Sequence, residues 1–110
     1  MIGRLLRKEC RVINRTQTGA DDDYGSPTWV EADPFPALFE HQPISAAELA
    51  SRTGGKSTER AWFLPATPIG IHARVVTDTE GWEVEGKPRR WVSPLNPRRA
   101  YIEVDLVEVE

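Results

Sequence analysis

Reactive side chains are scarce in this sequence. Cysteine occurs once, at Cys10, so the chain forms no internal disulfide and nothing points to an oxidising compartment. A lone cysteine of this kind is expected to pack as a small apolar side chain. Histidine occurs twice, at His41 and His72, and neither stands at ligand-like spacing from Cys10 or from the other, so no metal site is expected. The acidic run Asp21-Asp22-Asp23 lacks the glycine and terminal glutamate of a calcium loop. Sequence order gives no arrangement of serine, histidine and aspartate that supports nucleophilic catalysis. The expectation is a protein without catalytic residues, metal or cofactor. No run approaches the ~20 apolar residues that a membrane-spanning helix needs. The basic segment Met1–Arg15 alternates apolar with charged residues, without the continuous apolar stretch of a signal peptide, so no membrane partner is expected.

What is present suits one small domain spanning residues 1–110. Hydrophobic residues make up 39% of the chain, enough for a single modest core. The net charge of −3 conceals an uneven distribution. Arg4, Arg7, Lys8, Arg11 and Arg15 crowd the N-terminal segment, and Lys87, Arg89, Arg90, Arg98 and Arg99 form a second basic block. Acid gathers at Asp21 to Asp23, between Asp78 and Glu85, and along Glu103, Asp105, Glu108 and Glu110. Blocks of opposite charge either dock copies or partners together or form a solvated surface with local ion pairs.

Read along the chain, residues 4–16 predict one long strand with Leu6, Cys10 and Val12 on one side and Leu5 and Ile13 on the other. Gly19 to Pro27 predicts a loop by its turn chemistry. Extended character resumes at Thr28 to Ala32. Pro34 and Pro36 then predict a kinked edge segment, because proline cannot donate to a ladder. Ser45-Ala46-Ala47-Glu48 matches a capping box, with Ile44 and Leu49 at the staple positions, so a helix of at most two turns is expected before Gly54-Gly55. The small, polar composition of 43–60 also suits a mobile loop. Further on, Ile69, Ile71, Ala73 and Val75 predict one face of a strand, and Trp82 and Val84 follow with period two. Lys87-Pro88, Pro94 and Pro97 predict turns around Trp91-Val92. In the last strand Ile102, Val104 and Leu106 share a face, and the parity change to Val107 and Val109 predicts a bulge near Leu106. The class is therefore all-β: about six to seven short antiparallel strands in a small barrel or sandwich, with a long loop or short helix at 43–60.

Three motifs invite chemistry. Thr53-Gly54-Gly55-Lys56-Ser57-Thr58 ends like a phosphate-binding P-loop, but Ala50 occupies the position of the required first glycine, and the helical signal precedes the glycines rather than following them. A flexible glycine loop is the expectation. Glu83 and Glu85 share a strand face, which suits the solvent side of an alternating strand. Trp91, flanked by Arg89 and Arg90, could stack a base as single-strand binders do, or pack as an anchor like Trp62 and Trp82. The acidic balance argues against a dedicated nucleic-acid binder.

Several segments together resemble the small head-closure proteins of tailed bacteriophages, also called head-to-tail stopper or head–tail joining proteins. They are Arg11-Val12-Ile13-Asn14-Arg15, Asp23-Tyr24-Gly25-Ser26-Pro27-Thr28-Trp29, Trp62-Phe63-Leu64-Pro65-Ala66, Trp82-Glu83-Val84-Glu85-Gly86, Trp91-Val92-Ser93-Pro94 and Tyr101-Ile102-Glu103-Val104. The resemblance implies a β-barrel protomer that forms a homo-oligomeric ring below the portal and adaptor proteins. Such a ring closes the exit channel on packaged double-stranded DNA without sequence specificity and offers tail proteins an attachment surface. The implied location is the virion neck, after assembly in the host cytoplasm. By position, 43–60 would be the channel-gating loop, with Ser45, Glu48, Arg52, Gly54, Gly55 and Lys56 as its candidate residues. Candidate inter-subunit or partner contacts are Arg4, Arg7, Arg11, Asp21, Asp22, Asp23, Arg89, Arg90, Arg98 and Arg99. Two alternatives stand beside this reading: a tail-completion or terminator-type joining protein, and an OB-like module for single-stranded nucleic acid.

Overall fold

Apolar residues at every second position give each barrel strand one inward face. The computed structural model describes residues 8–21, 25, 27–52, 55–92, 94–95 and 100–109. Its elements run β1 (Lys8–Ile13), β2 (Arg15–Asp21), β3 (Pro27–Glu31), β4 (Phe35–Pro43), α1 (Ala46–Ser51), β5 (Glu59–Phe63), β6 (Arg74–Val76), β7 (Gly81–Trp91) and β8 (Tyr101–Glu108). Six strands close an antiparallel barrel in the order β1-β4-β5-β8-β7-β6, with β6 pairing back to β1, while β2 and β3 form a separate two-stranded ribbon. The expected small all-β barrel is therefore the architecture found. Closure gives each of the six barrel strands a neighbour on both sides.

The inward faces match the alternation. β1 buries Cys10 and Val12, β5 buries Ala61 and Phe63, β7 buries Trp82 and Val84, and β8 buries Ile102, Val104 and Leu106. Phe39 stacks on Phe63 with ring centroids 5.7 Å apart and meets Trp82 edge-on at 5.8 Å, an arrangement favoured by the ring quadrupoles. Complete burial of aromatic rings is worth about 2–3 kcal/mol each relative to exposure, so these three rings anchor the core.

Several local expectations are corrected. The long strand at 4–16 is broken at Asn14, whose backbone carbonyl accepts from Ala32 and whose side chain turns to another segment. Residues 4–7 of that expected strand, Leu5 and Leu6 included, lie outside the described residues. The predicted loop from Gly19 begins late, since β2 stays extended to Asp21 opposite Pro27. β4 is not an edge strand but lies between β1 and β5. Its ladders are staggered: 35–39 pairs with β1 and 39–43 with β5, so Pro36 has a neighbour on one side only. The proline rule thus holds locally while the strand as a whole is interior. The fourth correction concerns 69–73, which is turn rather than strand, with Ile71 47% exposed although Ile69 and Ala73 are buried. Pro68 and Gly70 set this course, and Asn14 Oδ1 takes the Gly70 amide at 2.8 Å.

The bulge lies in β7 rather than at Leu106. Val84 pairs with Leu106 and Glu83 with Val107 in unbroken register, whereas β7 advances from Glu85 to Arg89 while β8 steps from Asp105 to Glu103. Gly86 absorbs the irregularity at φ 77°, a left-handed backbone that glycine adopts without steric cost. Lys87-Pro88 thus lies inside the bulge and does not end the strand, which continues to Trp91.

Candidate functional site

The segment between β4 and β5 leaves the barrel and returns to it as a strap. Its base extends the ladder: Ile44 N donates to the Thr58 carbonyl at 2.9 Å, and Thr58 N donates to that of Leu106 at 3.2 Å. Ile44 and Ser57 are buried at these two ends. Ser45 caps α1, its hydroxyl accepting from Glu48 N at 3.2 Å. The expected capping serine is thus in place, and the helix is six residues long. The Glu48 carboxylate reaches across to β5, its Oε1 accepting from Arg60 Nη2 at 3.2 Å, and so ties the helix to the barrel.

Beyond the helix the strap is held by β7. Arg52 donates through Nη1 to the Ser57 hydroxyl and through Nη2 to the Ser57 carbonyl, both at 2.9 Å. The Glu85 carboxylate accepts from Lys56 N at 2.7 Å and from Ser57 N at 3.2 Å, one amide on each oxygen, with Arg52 Nη1 3.9 Å from Oε1. Burial works against ionisation of Glu85, but the two backbone amides and Arg52 outweigh it and hold its carboxyl below the ordinary value. Ser45, Glu48, Arg52, Gly55 and Lys56 therefore lie on a strap fastened to the barrel wall. Gly54 lies outside the described residues.

Below the strap, the outer face of β5, β7 and β8 carries a charged lattice. Arg60 Nε is 3.1 Å from Asp105 Oδ1, while Arg89 Nη2 lies 2.8 Å from Glu103 Oε1 and 2.9 Å from Asp105 Oδ1. Trp62, half-buried, donates its indole N–H to Glu103 at 3.2 Å. Burial opposes the charge on Asp105 as well, and the hydrogen bonds and charges of Arg89 and Arg60 overcome it, so that its pKa is lowered.

A second polar cluster closes one end of the barrel interior. His41 and Glu59 have the same parity as the buried Phe39 and Phe63, so they point inward at the barrel mouth. His41 Nδ1 is 2.6 Å from Glu59 Oε1, and Trp82 Nε1 donates to Glu59 Oε2 at 2.7 Å. Lys8 Nζ reaches His41 Nε2 at 3.2 Å. Sequence reasoning missed this cluster because its four members come from four strands with no fixed spacing.

The candidate contact residues scatter. Arg11 is exposed on β1. Arg89 is engaged within the chain by Asp105 and Glu103, and Arg90 donates to the Pro65 carbonyl at 3.1 Å. Asp21 ends β2. Arg4, Arg7, Asp22, Asp23, Arg98 and Arg99 lie outside the described residues. Trp91 is 48% exposed and stacks on Tyr101 with ring centroids 6.4 Å apart, unlike the wholly buried Trp82. A second role missed at the sequence level is that of Glu85. Strand alternation marks it as outward-facing, but nothing in the sequence links it to amides 28 and 29 positions away.

No protein-family model matches the chain, and no curated protein matches it. Among solved structures, the solution structure of protein SF1141 from Shigella flexneri 2a is similar, with a TM-score of 0.60 at 16% sequence identity. The match covers 94% of this chain and 92% of that one. At this identity the likeness is one of fold, a small β-barrel over nearly the whole length of both chains.

Proposed function

We propose that this protein is a structural ring subunit of a tailed-phage neck. In this reading it closes the DNA exit channel below the portal and adaptor and receives the tail. One observation carries the proposal. The head-closure-like segments at 11–13, 62–63, 82–86 and 101–104 fall on strands of one closed barrel, 27–29 lies on the β2–β3 ribbon, and the strap between Pro43 and Glu59 joins two antiparallel barrel strands, β4 and β5. That is the position in which the resembling family carries its channel loop. Ring closure would be heterologous, one face of each copy meeting a different face of the next. Electron microscopy of the purified protein mixed with portal–adaptor complexes or tail-less heads tests this. A ring below the adaptor is expected, and a protein that never joins either assembly overturns it.

A second reading, an OB-like module for single-stranded nucleic acid, draws on the exposed Trp91–Tyr101 stack. Titration with single-stranded DNA at low salt, followed by tryptophan fluorescence, separates the two. Salt-sensitive quenching that is lost in Trp91→Ala favours the module, and no binding at low salt removes it.

A further inference from the structure

The P-loop-like run Gly55-Lys56-Ser57 has no nucleotide-binding context, yet it builds part of what such a loop builds. Two successive backbone amides, Lys56 N and Ser57 N, point at one anionic group, with the Arg52 guanidinium beside it. Consecutive amides aimed at one point form a concavity for anions. Here the anion comes from the protein itself. We propose that the Gly55–Ser57 turn is an oxyanion nest filled in cis by the Glu85 carboxylate, which latches the strap to the barrel wall, and that a phosphate-type oxyanion can take its place.

Three features carry this. The carboxylate divides its oxygens between the two amides, at 2.7 and 3.2 Å, as a free oxyanion in the nest would. Gly55 sits at φ +83°, and a Cβ there would lie 3.0 Å from Glu85 Oε1 and 3.1 Å from Arg52 Nη1, so the turn is fitted around the occupied nest. Glu85 itself projects from the outer face of β7, where the buried core makes no demand on it. The charged group against it is Arg52 from the strap, and Asp105 is its register partner on β8. Because the nest holds the Glu85 carboxyl below its ordinary value, the latch is closed at neutral pH. It opens only as acid protonates the carboxylate below that range. The inference stands whether or not the protein joins a phage neck.

The test is residue-resolved amide hydrogen exchange on the full chain. In Glu85→Ala the amides of Lys56 and Ser57 are expected to exchange at least about tenfold faster, the scale of losing a charge-assisted hydrogen bond. The amides of Val104 and Leu106 in β8 should keep their protection. Inorganic phosphate, set against chloride at matched ionic strength, is expected to restore protection at Lys56 and Ser57. Gly55→Ala is expected to open the strap with Glu85 still present, and phosphate should not rescue it. Unchanged exchange in Glu85→Ala, acceleration spread through β8, or failure of phosphate to rescue would each overturn the proposal.

Discussion

Trp82 and Glu59 stand on strands that are not neighbours in the barrel. β8 separates β7 from β5, yet the indole N–H of Trp82 donates to Glu59 Oε2 at 2.7 Å. The bond crosses the barrel mouth rather than following the sheet, and His41 fills the other carboxylate oxygen at 2.6 Å. A wholly buried tryptophan thereby satisfies its one donor, and an inward carboxylate is shared between two strands.

Glu59→Ala should therefore cost more than an ordinary surface truncation. It leaves the Trp82 indole and His41 Nδ1 without their acceptor in a part-buried site, and a loss of about 2–4 kcal/mol is expected. Urea unfolding followed by tryptophan fluorescence measures it. A loss under about 0.5 kcal/mol, the scale of a neutral surface substitution, would show that water replaces the carboxylate there.

Asp105 gives the barrel wall an acid-sensitive component. Its folded pKa is lowered and its unfolded pKa is ordinary, so its contribution is complete above the ordinary aspartate value and is lost as pH falls through the folded one. Asp105→Asn removes that contribution at neutral pH, at an expected cost of about 1–2 kcal/mol, because Arg89 and Arg60 keep their positions but lose a charged partner. Stability measured from pH 6 to pH 2 should fall less steeply in the variant, with a residual slope from Glu85, which titrates in the same direction. Parallel curves for the two proteins would contradict this.

Cys10 should be silent in the native protein. Burial pushes its thiol up to about 12, and only 5% of its surface is exposed, so thiolate and access are both lacking. Labelling by a thiol reagent at pH 8 is expected to follow global unfolding, accelerating with urea in step with the fluorescence transition. Rapid labelling in buffer alone would mean that β1 opens locally.

Period-two alternation placed much of the core, though it failed at the exposed Ile71. Cys10 and Val12, Trp82 and Val84, and Ile102, Val104 and Leu106 are buried on the faces that their spacing indicates. The N-cap at Ser45 was legible for the same reason, since capping is a relation over three residues. The barrel itself was expected, but which strands neighbour which was not legible. Pro36 suggests an edge strand because the sequence does not reveal that β4 is staggered between two partners. Pro88 suggests a turn because the bulge that accommodates it is defined by the distant β8. The strap anchor fails to show for a similar reason: Glu85 looks like any solvent-side glutamate until its amide partners are folded against it.

Asn14 is the remaining element whose role only the fold reveals. It lies where β1 ends and β2 begins, and its side chain holds the 68–70 turn from both sides, Nδ2 donating to the Pro68 carbonyl at 2.7 Å and Oδ1 accepting from Gly70 N at 2.8 Å. A Cβ on Gly70 would approach Oδ1 to 3.2 Å, so the turn packs directly on this amide. Asn14→Ala removes both bonds, and a cost of about 1–3 kcal/mol is expected from the part-buried Gly70 amide left unpaired. Asn14→Asp separates the two contributions. It keeps an acceptor for Gly70 N but sets a carboxylate oxygen against the Pro68 carbonyl, so it should recover little of the stability that alanine loses. Unfolding free energies for the two variants, with hydrogen exchange at Gly70, decide the matter. If Asn14→Asp matches the wild type, the contact with Pro68 contributes nothing and the Gly70 amide alone defines the turn.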